Sequence, residues 1–211
     1  MKNRHLFNRI QVTVTGELPQ KVSLRDVLDT VEKTIPKHLT RDIETVYIGS
    51  YKPLEDRKVD SMYVGGSILI SDKLDNNKVF FNTFVHEIAH SVEELAAEHI
   101  YGDGELGMEF LSKRKTLYMM LKDDYKLDKK AFFDVNYNEK LDMFFAEEIG
   151  YDNLRPLVAN LFLSPYAVTS LREYFANAFE HMFVNVESEV KQISPVAFKK
   201  IKAILKPNLF K

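Results

Sequence analysis

The sequence has no cysteine. That excludes a disulfide framework and every thiolate metal ligand, so a transition-metal site must be built from His, Asp or Glu. Neither sign of charge dominates: the formal net charge is −2, with Lys and Arg scattered along the chain. Without a basic stripe to neutralise a phosphate backbone, nucleic acid is not an expected partner. Long apolar runs are missing as well. Stretches such as Ser67 to Ile70 and Val79 to Phe81 fall far short of the roughly 20 residues that cross a bilayer, so no membrane span is expected. Glycine and proline are not in excess, and nothing in the composition suggests disorder. The opening MKNRHLFNRIQVTVTG lacks the unbroken apolar core of a secretory signal. A cytoplasmic location is the default expectation, or a secreted one if the chain is a mature form.

A chain of 211 residues can bury a real core, and it reads as a single domain. From Ile10 to Thr15 the run IQVTVT alternates with period two and predicts a half-buried strand. Ser23 reads as a helix N-cap. Behind it Leu24, Val27, Leu28, Val31 and Ile35 recur at helical spacing, and the helix should end near Pro36. Further strands are expected at Thr45 to Ile48 and, after Gly65-Gly66, at Ser67 to Ser71. From Asn76 the pattern turns helical, with candidate helices near 77–99, 105–122, 139–149, 153–162 and 168–186. A last helix has Ser194 as N-cap, Pro195 at its first position and Pro207 beyond its end. The expected fold class is α+β, a sheet lobe over about 1–75 and a helical lobe over about 76–211, with Tyr101 to Asp142 as a possible insertion.

The informative run is VHEIAH, Val85 to His90, inside the 77–99 helix. Residues four apart lie about 40° apart around a helix, so the imidazoles of His86 and His90 share a face and can grip one ion. Glu87 is placed to reach a water on the same metal. Zinc with three protein ligands keeps a position for water and lowers its pKa toward about 7, and a nearby carboxylate then serves as general base. Phe84, Ile88 and Leu95 fall opposite the histidines, which predicts one apolar face inward and one histidine face on a cleft.

A third histidine six residues after the second is excluded, because Ala96 stands there. Glu93 and Glu94 on the same helix are expected to solvate its exposed side. A better source is LREYFANAFEHMF, where Glu173, Asn177 and Glu180 share one helix face and Phe175, Phe179 and Met182 the other. Glu173 can complete a His, His, Glu set. Glu180 and the Glu147-Glu148 pair remain alternatives on spacing alone.

The pairing of HEIAH with a later EYFANAF resembles the catalytic domain of anthrax lethal factor and its relatives, including the Pro-Pro endopeptidases. That resemblance implies a zincin-like fold and a single zinc ion on His86, His90 and Glu173, with Glu87 as base. It also implies a catalytic tyrosine seven residues before the glutamate ligand, and position 166 is Tyr. Tyr166 would be a phenol donor to the oxyanion, with Ser164-Pro165 holding its loop. Asn177 departs from the family pattern, which often has an acidic residue there, and so leaves carboxylate support for a ligand histidine without a source. The resemblance spans about Asp60 to Glu98 and Leu161 to Val186.

In zincins an edge strand before the active-site helix receives extended substrate, and MYVGGSILIS is placed to do so. An ordinary core strand behind a diglycine turn explains the same residues equally well. The expected function is a zinc-dependent endopeptidase with a protein or peptide substrate. The rivals are a non-catalytic zincin-fold binding protein and a metal-dependent amidase acting on a small substrate.

Overall fold

The computed structural model describes residues 2–184 and 187–210, with the side chains of Lys2, Asn3, Asn208 and Phe210 outside the description. It is an α+β protein with one five-stranded mixed sheet. The chain divides into two compact units, residues 1–95 with 205–211, and residues 96–204.

The first unit holds the sheet. Its strands are β1 (Lys2–Leu6), β2 (Ile10–Val14), β3 (Thr45–Ile48), β4 (Ser61–Val64) and β5 (Ser67–Ile70), in the order β1-β2-β3-β5-β4. The three inner strands are parallel, and each outer strand is antiparallel to its neighbour. The register aligns Val12, Val46 and Ile68 in one row across the sheet, and all three are fully buried. Parallel strands need a crossover, and α1 (Leu24–Thr34) supplies the one between β2 and β3. As expected, Ser23 caps α1, its side chain accepting from Asp26 N, and Leu24, Val27, Leu28 and Val31 are its buried residues.

Two strands escaped the sequence reading. Lys2–Leu6 is too polar to show an apolar alternation, and β4 was merged with β5. The segment around Gly65-Gly66 is a two-residue hairpin, with Val64 opposite Ser67. Both glycines have positive φ, 50° and 79°, the geometry that makes a two-residue turn follow the strands' twist. SILI is therefore an inner strand, and SMYV is the outer one. The short helix α2 (Lys52–Arg57) was also not anticipated.

The helix α3 (Asn77–Tyr101) is helical throughout except at Ala96, where φ is −121° and ψ 20°. The first unit contains it as far as Leu95.

The second unit is helical: α4 (Glu105–Leu121), α5 (Lys129–Phe132), α6 (Glu139–Met143), α7 (Tyr151–Val158), α8 (Leu171–Phe183), α9 (Glu187–Ile193) and α10 (Pro195–Ile204). α6 continues into a π-helical turn over Phe144–Ile149, matching the expected 139–149 segment. The helix expected over 168–186 starts later, at Leu171, and its last residues, 185 and 186, lie outside the described residues. α4, in the stretch read as an insertion, is integral to this unit. Its Glu109 accepts from Tyr174 Oη (2.8 Å) and from the amides of Val196 (2.9 Å) and Ala197 (3.3 Å). The first turn of α10 is thus capped by a carboxylate from another helix, where the sequence pointed to Ser194. Arg114 of α4 is fully buried, with its guanidinium 5.0 Å from the Phe110 ring, 5.3 Å from Phe132 and 5.9 Å from Phe145.

Among the described residues, no helix is long and apolar enough to cross a membrane.

Candidate metal centre

His86 and His90 lie one turn apart on α3, with ring centroids 5.0 Å apart and planes at 81°. The pair forms because helical spacing superposes positions i and i+4. The helix around them is not one-sided as expected. From Phe84 to Glu93 every residue except His86 is buried, polar ones included. The residues opposite the histidines are apolar, but most of the histidine side is buried too, with His90, Glu93 and one oxygen of Glu87 hydrogen-bonded to specific partners.

One such partner corrects the sequence reading of Glu93. It is 4% exposed, and its Oε2 lies 2.6 Å from His90 Nδ1. A short contact between an imidazole N–H and a carboxylate fixes ring orientation and tautomer, making Nε2 the nitrogen that carries the lone pair in the neutral ring. Carboxylate support for His90 therefore comes from the same helix, three residues on, and does not need an acidic residue in place of Asn177. The i, i+3 spacing was the signal for it.

Glu87 is 3% exposed. Its Oε1 accepts from Ser61 Oγ at 2.5 Å, reaching across from β4. Its Oε2 is buried with no hydrogen-bond partner. A buried carboxylate oxygen left unpaired costs on the order of 1–3 kcal/mol or more, and it marks a place where a further donor belongs. Ser61 was not singled out from the sequence, since one serine in a strand carries no pattern.

In the second unit, Ser170 caps α8, with its side chain accepting from Glu173 N at 3.2 Å. This places Glu173 in the first turn, half-buried, where the helix dipole favours negative charge. Ahead of it, Tyr166–Val168 forms a 3₁₀ turn. The Tyr166 carbonyl accepts from Thr169 N (3.1 Å) and Thr169 Oγ1 (2.9 Å). Its ring packs edge-on against Tyr151 at 6.3 Å. Tyr151 donates to Asp142 Oδ1 at 2.6 Å, and burial, then this carboxylate, push its phenol well above the ordinary tyrosine range. Arg114 Nη2 donates to the Thr169 carbonyl at 3.3 Å, so the turn between Tyr166 and Glu173 is tied down from beneath. Burial holds the Arg114 guanidinium down to about 10.

One group of three His, Asp or Glu side chains among the described residues can hold a metal ion: His86, His90 and Glu173, with one ligand atom from each, all within 4.8 Å of one another. The alternatives Glu180, Glu147 and Glu148 are not in it, and the last two are exposed. Two nitrogens and one carboxylate oxygen suit a first-row divalent cation. Glu87, with its unpaired buried oxygen, is the residue next to His86. No family model, curated protein or solved structure matches this chain.

Proposed function

We propose that this protein is a zinc-dependent endopeptidase of zincin type. The observation that carries the reading is the convergence of His86, His90 and Glu173 within 4.8 Å: the sequence pattern selected a glutamate 83 positions after His90 (173 − 90), out of 31 acidic residues. Zinc is favoured over harder cations because two of three donors are imidazoles. Bound there, it supplies an acidified water and polarises the scissile carbonyl.

The chain's own groups divide the remaining work. Glu87 takes a proton through Oε2, the oxygen that Ser61 leaves unengaged. Glu93 holds His90 in its ligating orientation. Tyr166, in line with the resemblance, donates a hydrogen bond from its phenol to the developing oxyanion. The outer strand β4 offers backbone donors and acceptors to an extended peptide, which favours a peptide substrate over a small amide.

The test is metal content by mass spectrometry together with hydrolysis of a mixed peptide library. One zinc per chain, and cleavage that a chelator abolishes and zinc restores, are expected. A chain that binds zinc but cleaves no peptide would favour the binding-protein alternative, and one that binds no metal would remove the site.

A further inference from the structure

We propose that Ser61 is a positioning residue for Glu87, fixing which carboxylate oxygen acts; the inference rests on the reading of Glu87 as general base. A carboxylate on a helix has a freely turning terminal torsion and two equivalent oxygens. Here they are not equivalent. Oε1 accepts from Ser61 Oγ at 2.5 Å, and Oε2 is buried without a partner. A hydroxyl donating to one oxygen stabilises negative charge there and stops rotation. The other oxygen is then the only one presented for a proton.

The hydroxyl is itself rigidly held. Ser61 opens β4 opposite Ile70, and the ladder continues beyond it through Ser71 N donating to Asp60 O at 2.8 Å. Side chains two apart on a strand share a face. Tyr63, two residues along, accepts from Gly66 N at 3.2 Å, and burial, then the charge of Glu94 on α3, raise its phenol above the ordinary range. One face of β4 is thus tied to α3 at position 87, and the serine works from a strand held by its own ladder and hairpin turn, as precise positioning requires. The same strand is the one offered to substrate, which sets the base in register with the docked peptide.

The experiment measures kcat, KM, zinc affinity and melting temperature for the full-length zinc-loaded protein and for S61A, S61T and S61V. Thr and Val are matched in shape, suit a strand, and differ by the hydroxyl alone. We expect S61A and S61V to lose about 10- to 100-fold in kcat, with KM and zinc affinity within about twofold, while S61T stays within about threefold of wild type. Equal kcat for S61T and S61V, or a fall in melting temperature with kcat unchanged, would overturn the proposal and leave Ser61 a packing contact. The base assignment fails separately: full activity in E87Q would remove Glu87 and this inference with it, whereas an inactive E87Q beside a fully active S61V sinks only the role of Ser61.

Discussion

Replacing Glu93 should weaken zinc binding although Glu93 is not a ligand. Its carboxylate and the His90 ring are both nearly buried, 4% and 9% exposed, and the Nδ1 to Oε2 distance is 2.6 Å. A hydrogen bond to a charged partner contributes about 1.5–3 kcal/mol when the groups are desolvated. Losing the orienting partner of a ligand histidine typically costs 10- to 100-fold in metal affinity, or about 1.4–2.7 kcal/mol. The two ranges overlap, so E93A is expected to bind zinc about 10- to 100-fold more weakly. E93Q, nearly isosteric and still an acceptor, should lose about 3- to 10-fold, because it retains orientation but not charge. Competition against a chromophoric chelator measures both, with circular dichroism checking that α3 remains helical. Wild-type affinity in a folded E93A protein would refute the reasoning, because the ring would then need no second partner to ligate.

Three further outcomes follow. E87Q should keep one zinc per chain and the wild-type melting temperature but lose turnover by at least about 10²-fold, read by peptide cleavage, since an amide cannot accept the proton. Y166F should lower kcat by about 10²–10³-fold with zinc content unchanged if the phenol serves the oxyanion; an unchanged rate would make it a packing residue. Arg114 has Nε and Nη1 buried without partners, and burial works against its charge. R114M, which keeps the packing against Phe110, Phe132 and Phe145, should therefore melt no lower than wild type, while R114A, which leaves a cavity, should lose about 3 kcal/mol or more in denaturant unfolding.

Where one physical signal was strong and local, the sequence was legible. Ser23 and the Leu24, Val27, Leu28, Val31 spacing led to α1 with its cap in place, and the diglycine led to a tight turn. The outer strands were not legible, because an edge strand is half solvated and its apolar period is diluted: β1 reads KNRHL. SMYV and SILI ran together because only two residues separate them. At the site, His86 and His90 could be read from spacing alone, since both sit on one helix. Glu173 needed the second helix to be judged for its polar face, and spacing left Glu180 open. Ser61 reaches Glu87 across 26 positions and leaves no periodic trace.

The misreading of α3 as one-sided has a physical consequence for the site. A surface histidine face would leave Glu87 and Glu93 solvated and free to move. Buried as they are, both carboxylates are cut off from bulk water, and their orientation is set by the protein groups they meet. A divalent cation held by the neighbouring imidazoles would place positive charge beside both carboxylates. That burial makes them directional: Glu93 is engaged with a ring nitrogen of His90 and Glu87 with the Ser61 hydroxyl. The residual unpaired atom of that pairing, Glu87 Oε2, is the one that the proposed chemistry requires to be reactive.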